Sequence, residues 1–181
     1  MIDKIGAQPI QQRFPASRPI AVWLRPLRGV VRFARYVRHW LFLGKKLSVG
    51  RNVCFGKGVE LLIPEFIKIS DNVMIGSYFI AQTNLSIGSD VLISTRVSCI
   101  GNDHSFAKSD ETIFSGERLA PSTITLEGDN LIGFGSIIVG NVTIGRGCIV
   151  GAGSVVTRDL PAYTICAGVP AKPLRARYEN R

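Results

Sequence analysis

The 181-residue chain carries a formal net charge of +9 and is 46% hydrophobic, a length suited to one repeat domain plus an extension. Residues 1–46 hold ten Lys or Arg against Asp3 alone, and the remaining residues balance at 12 basic and 12 acidic. Such a distribution argues against nucleic acid as a partner, because the neutral remainder continues no basic track. Four cysteines (Cys54, Cys99, Cys148, Cys166) without Cys-x-x-Cys spacing point to a reducing cytoplasm rather than a disulfide scaffold. With only His39 and His104 present, a three-histidine zinc set cannot be built, and no metal is expected.

Residues 1–20 hold three prolines and little periodicity, which predicts an extended arm. They lack a continuous apolar core, so no secretory signal is expected. Pro26 suits a helix start, and Leu27 to about Leu43 reads as a helix. At 100° per residue Arg25, Arg28, Arg32, Arg35 and His39 share one arc. Leu27, Val30, Val31, Ala34, Val37 and Leu41 form the adjoining face, with Phe33 and Trp40 at its margin and Arg38 inside it. A basic amphipathic helix of this kind suits an anionic membrane surface. The alternative is a helix whose apolar face packs on the end of the following domain while its arginines are merely solvated.

From Val49 the chain settles into a period of six. Val49, Phe55 and Leu61 open it, two extra residues intervene near Pro64, and Ile69, Ile75, Ala81, Ile87, Ile93 and Cys99 continue it. Val73, Phe79, Leu85, Val91 and Val97 fall four places after the first five of these, and in the last hexad Asp103 takes that place. The rhythm halts over 101–123 and resumes at Leu126, Ile132, Ile138, Ile144, Val150 and Val156. A six-residue period fits neither an amphipathic helix nor a hairpin sheet. It fits an all-β solenoid of short strands in which three hexads make one triangular coil. Gly76, Gly88, Gly133, Gly145 and Gly151 each follow an inward residue, where a corner is expected. The organisation is therefore a basic extension with its helix (1–46), a solenoid (47–161) bearing an inserted loop (101–123), and a tail (162–181) with a short helix after Pro173.

Long loops in compact repeat proteins usually serve a function, and His104 stands at the entrance of this one. One coil is 18 residues, so His104 should stack over Ser86 and Asn102 over Asn84, gathering two amides and an imidazole on one edge of the prism. A neutral imidazole can take a proton from a hydroxyl near neutral pH. Asp103 or a backbone carbonyl would orient it, and Asn84 and Asn102 would grip the hydroxyls of an acceptor. No Ser or Cys has a second histidine at hand, so no covalent intermediate on a nucleophilic side chain is expected.

Three runs carry a family resemblance: Gly-Asn-Asp-His-Ser-Phe at 101–106, Ile-Val-Gly-Ala-Gly-Ser-Val-Val-Thr-Arg-Asp at 149–159, and Ala-Gly-Val-Pro-Ala-Lys-Pro-Leu-Arg at 167–175. Over about 49–177 the sequence resembles the hexapeptide-repeat acyltransferases, nearest to the galactoside, maltose and polysaccharide O-acetyltransferases. The resemblance implies a left-handed parallel β-helix and a homotrimer with active sites between neighbours. It implies direct transfer of acetyl from acetyl-CoA to a hydroxyl, with His104 as general base. It also implies a cofactor groove along the later coils, lined by Ala152, with Thr157 and Arg158 as polar contacts and Lys172 and Arg175 near the adenosine-end phosphates. Two positions depart from the family pattern: Leu131 stands where tryptophan is usual, and Phe134 where a small or polar residue is usual. The acceptor expected is a sugar hydroxyl of a cell-surface polysaccharide or its precursor, met in the cytoplasm or at the inner face of the membrane. The other readings are an acetyltransferase acting on an antibiotic or amino acid, and a non-catalytic scaffold.

Overall fold

In the computed structural model, which describes residues 25–101, 103–105 and 112–178, the six-residue period winds into a three-faced parallel β-solenoid. The first face stacks Leu47–Val49, Ile67–Ile69, Asn84–Ile87, Thr123–Leu126 and Val142–Ile144. The second stacks Cys54–Phe55, Met74–Ile75, Leu92–Ile93, Leu131–Ile132, Ile149–Val150, Thr164–Gly168 and Ala171–Ala176. The third stacks Glu60–Leu61, Ile80–Ala81, Ser98–Ile100, Ile137–Val139 and Val155–Val156. Partners on successive coils are 18 residues apart, as in Ile69 with Ile87. The first coil is 20 residues, Leu47 pairing with Ile67, which accommodates the bulge at Pro64. At the insertion the spacing rises to 39, Asn84 pairing with Thr123.

Every inward place of the hexads from Ile69 to Val97 is buried, and so are Leu126, Ile132, Ile138, Ile144, Val150 and Val156. Each large aliphatic so placed contributes roughly 1.5–3 kcal/mol through loss of its apolar surface from water. In the later coils Asn130, Ser136 and Ser154 occupy the second inward place. Their burial is offset by backbone partners: Asn130 Nδ2 donates to the Gly145 carbonyl at 2.8 Å, and the Ser136 and Ser154 hydroxyls donate to the Gly151 carbonyl at 3.0 and 2.7 Å.

Helix α1 (Arg25–Leu43) lies across the start of the solenoid. Its packing overturns the alternative in which the apolar face lies on the solenoid, because Arg35 and His39 of the basic arc turn inward instead. Cys54–Phe55 and Glu60–Leu61 are terminal strands of their sheets, so their outward carbonyls have no strand partner. Arg35 Nη1 donates to the Phe55 carbonyl at 3.1 Å, and Arg38 Nη2 to that of Val59 at 3.0 Å. His39 is buried between them, its ring 5.1 Å from that of Phe55. Burial, aided by the Arg38 charge, pushes the His39 imidazole down to about 4. Val30, Val31, Leu41 and Phe42 face solvent.

The tail is a second departure. Ala171–Ala176 is a strand, not a helix, and pairs antiparallel with Thr164–Gly168. The last parallel strand would otherwise leave its backbone edge open, and the chain turns at Gly168 to cover it. Pro173, which lacks an N–H, falls where the register shifts between Ile165 and Cys166. No helix among the described residues is long and apolar enough to cross a membrane.

Candidate active site

The inserted loop leaves the prism at the corner between the third and first faces. Gly101 is buried there, and a Cβ on it would overlap the hydroxyl of Ser122, the residue at which the chain returns. Thr83, one coil below, donates its hydroxyl to the Ser122 carbonyl and lies 3.0 Å from the Ser122 hydroxyl. Asn141, one coil above, accepts the Thr123 N–H at 2.8 Å. Both ends of the loop are thus anchored to rigid coils before the loop forms any structure of its own.

Beyond the root the loop forms a short antiparallel pairing. The Ser105 N–H donates to the Glu117 carbonyl and the Leu119 N–H to the Asp103 carbonyl, each at 2.8 Å, with His104 opposite Arg118. The pairing draws the Gly116 carbonyl to 3.0 Å from His104 Nδ1. A carbonyl only accepts, so Nδ1 carries a proton, and in the neutral ring it is Nε2 that holds the lone pair. Gly116 is held in turn by a tight turn, its N–H and that of Ser115 both donating to the Thr112 carbonyl at 3.0 and 3.1 Å. The half-buried imidazole therefore has one nitrogen committed and one ready to accept a proton.

The chain neighbour of His104, Asp103, and its partner across the pairing, Arg118, though not His104 itself, line a cleft of about 250 Å³ together with Leu62, Gln82, Ile100 and Gly101. That is below the ~300–1,000 Å³ of pockets that enclose drug-sized ligands, and suits a small polar ring rather than a whole coenzyme. Cys99 lies inside the prism next to this wall, but burial pushes its thiol up to about 12, which keeps it protonated and unreactive.

The expected polar stack does not form. Ser86 pairs with Lys68 and Thr125, and Thr123 occupies the place above Asn84, because the chain has already left the prism at Gly101. Asn84 is buried; its Oδ1 accepts the Glu65 and Phe66 N–H groups at 3.1 and 3.3 Å, and its Nδ2 donates to Glu65 Oε2 at 2.8 Å. Its amide thus secures the Pro64 bulge. Asn102 lies outside the described residues, as does the arm of residues 1–20. Asp103 is exposed on the cleft wall, and the hydrogen bond that orients His104 is the one it donates to the Gly116 carbonyl. Gln82, Gly116 and Arg118 carried no signal in the hexad pattern, since the first is an ordinary corner residue and the others depend on the fold of the loop.

The five residues expected at the cofactor are all exposed, and they divide between two corners of the prism and the terminal hairpin. Thr157 and Arg158 follow the last strand of the third face, on the same edge of the prism as Gly101. Arg158 stands two coils above it, roughly 10 Å away at ~4.8 Å per coil. Ala152 precedes that strand, at the opposite end of the third face, and a Cβ on neighbouring Gly151 would meet that of Ala167. Lys172 pairs with Ala167 and Arg175 with Ile165, on the terminal hairpin. Leu131 and Phe134 are exposed on the second face and at its corner. Among the described residues no group of three His, Cys, Asp or Glu is arranged to hold a metal.

Comparison with known proteins agrees with this architecture. The family model described as bacterial transferase hexapeptide (six repeats) matches residues 123–158. An Escherichia coli (strain K12) protein, WbbJ, whose name provisionally assigns it to lipopolysaccharide biosynthesis as an O-acetyl transferase, is 34% identical over 160 residues, covering 81% of this chain and 78% of its own. The galactoside O-acetyltransferase of the same organism is 35% identical over 122 residues, covering 62% of this chain and 58% of its own. The crystal structure of a hexapeptide-repeat-containing acetyltransferase from Vibrio cholerae, VCA0836, superposes with a TM-score of 0.67 at 25% identity, covering 87% of this chain and 92% of that one. A second structure of that protein is a complex with acetyl coenzyme A.

Proposed function

The chain belongs to the hexapeptide-repeat acyltransferases, and from that premise we propose that it transfers acetyl from acetyl-CoA to a sugar hydroxyl of a cell-surface polysaccharide or its precursor, with His104 as general base. The observation that carries this reading is the hydrogen bond from His104 Nδ1 to the Gly116 carbonyl, which leaves Nε2 able to accept a proton beside a cleft. The acceptor hydroxyl gives its proton to Nε2 as its oxygen attacks the thioester carbonyl. The C–S bond then breaks, the coenzyme leaves as its thiolate, and the proton on Nε2 returns to that sulfur. The products are an acetyl ester and free CoA, and His104 ends as it began.

The acceptor ring sits in the cleft, where Gln82, Asp103 and Arg118 offer polar contacts and Leu62 and Ile100 an apolar floor. Asn102 stays in this reading as an acceptor contact, whereas the internal bonds of Asn84 make it a support of the wall. Ala152, Thr157, Arg158, Lys172 and Arg175 serve the coenzyme. A homotrimer suits their spread over two corners and the terminal hairpin, because a groove walled by two copies can run past residues that one copy holds in different places. The charge excess of residues 1–46 suits a cytoplasmic enzyme working against an anionic membrane, where lipid-linked sugar precursors are held.

The test is CoA release from acetyl-CoA in the presence of sugar acceptors. His104→Ala is expected to lower turnover by ~10²–10⁴, the usual contribution of a positioned general base, with CoA binding retained. Turnover that survives the substitution would sink the proposal.

A further inference from the structure

Helix α1 is turned the opposite way from an ordinary surface helix. Its inward arc is polar and committed: Arg35 donates to the Phe55 carbonyl and His39 is buried against Phe55, while Arg38, set within the opposite arc, reaches back to the Val59 carbonyl. Those contacts prevent the helix from rolling its other side onto the solenoid. That other side carries Val30, Val31, Ala34, Leu41 and Phe42 within about 120° of arc at 100° per residue. Val30 is 62%, Leu41 69% and Phe42 85% exposed.

We propose that this outward face docks on an anionic phospholipid bilayer, seating the enzyme with the His104 cleft beside the membrane surface. Three observations select this occupant. The charge is complementary, since residues 1–46 hold the whole +9 while the remainder is neutral. Two copies meeting through this face would instead set two strongly basic extensions side by side. The helix is also too polar to cross a bilayer, which leaves it lying in the interface plane, apolar side down. Finally, the surface is continuous with the site. Just past the helix, Lys46 Nζ donates to the Pro64 carbonyl at 2.7 Å, and Pro64 follows by two residues Leu62, which lines the cleft. A lipid-linked acceptor held in the same bilayer would reach the cleft without leaving the membrane. Docking itself does not depend on the acyl-transfer reading.

Sedimentation of the full chain with vesicles tests it, using pure phosphatidylcholine and phosphatidylcholine with about 30% phosphatidylglycerol. Binding to the anionic vesicles is expected to exceed that to the neutral ones at least ~10-fold and to weaken as salt is added. The double variant Leu41→Glu/Phe42→Glu is expected to lose at least ~10-fold of that binding, with melting temperature and CoA release on a soluble acceptor unchanged, because both side chains are exposed and neither lines the cleft. His104→Ala is expected to bind vesicles like the wild type, so failure of the catalytic reading and failure of docking are told apart. Equal binding to both vesicles, binding to neither, or a double variant that binds like the wild type overturns the proposal. A double variant of lower oligomeric mass in solution overturns it too, since the face would then join copies of the chain.

Discussion

His104 and Gly116 face each other across the loop pairing, the imidazole Nδ1 3.0 Å from the glycine carbonyl, and that contact assigns the tautomer of the only histidine near the cleft. Gly116 has no room for a side chain. A Cβ there would meet the Ser105 carbonyl oxygen at 2.8 Å, next to the residue it orients. Gly116→Ala is therefore expected to spread the pairing and turn the imidazole away from its working direction. Steady-state kinetics should give kcat reduced about 10-fold or more with little change in the KM for acetyl-CoA, because under the proposed mechanism the damage falls on proton transfer and not on coenzyme contacts. A larger effect on KM than on kcat would show that the loop serves the coenzyme instead.

The root of the loop offers a test of packing. A methyl group on Gly101 would overlap the Ser122 hydroxyl and stand 3.2 Å from Thr83 Oγ1. Gly101→Ala should cost about 1–3 kcal/mol of stability, the usual range for overpacking. Adding Ser122→Gly should recover part of it, since the clash is with that side chain. Denaturant unfolding of the two single variants and the double variant gives the coupling directly, and additive losses would place the strain elsewhere.

What the sequence made legible was whatever repeats. Residues from Ile69 to Val97 and from Leu126 to Val156 are buried where the period of six puts them, because each step returns the chain to the same orientation relative to one axis. The insertion lay outside that logic. Counting hexads through Gly101 placed His104 over Ser86, whereas the chain departs at Gly101 and Thr125 takes the place above Ser86. Asn84 looked like a ligand-gripping amide because Glu65, which occupies it, is 19 residues away and sits in an irregular bulge. The helix wheel separated basic from apolar residues correctly, yet it could not say which side faces in. That was decided by unpaired carbonyls at the end of the prism, a feature of the fold and not of the helix. The tail failed similarly: an open sheet edge drew Ala171–Ala176 into a strand against its local pattern.

The burial of His39 predicts a stability term that depends on pH. Its folded pKa of about 4 lies below the ordinary 6.5, so the unfolded chain binds the extra proton between those values. Stability from this site is fully present above about 6.5 and is lost as pH falls towards 4. At ~1.4 kcal/mol per pH unit the loss approaches 3 kcal/mol. His39→Phe preserves an aromatic contact with Phe55 and removes the titration. Thermal melts across this range should converge on, then favour, the variant as the solution becomes more acid. A constant difference between the two proteins would mean that His39 does not titrate in this window.

Arg177 closes the C-terminal hairpin onto the solenoid. Its Nη1 donates to Asp129 Oδ2 at 2.7 Å, to the Gly147 carbonyl at 3.1 Å and to the Asp129 carbonyl at 3.2 Å, and its guanidinium lies 5.1 Å from the Tyr178 ring centroid. The ion pair is partly exposed, so its contribution to global stability is expected to be modest, about 1 kcal/mol. Its local effect should be larger, because it follows directly the strand that carries Lys172 and Arg175. Arg177→Ala should leave the parallel coils protected while amide exchange rises in Thr164–Gly168 and Ala171–Ala176. If those two cations meet the phosphates of the coenzyme, the same variant should raise the KM for acetyl-CoA several-fold, about 1 kcal/mol of binding, and leave kcat nearly unchanged. Arg177→Lys should rescue little, since one ammonium cannot reproduce a planar fork set between two carbonyls and a carboxylate. Faster hairpin exchange with an unaltered KM would separate the hairpin from coenzyme binding and assign Lys172 and Arg175 to the solvated surface.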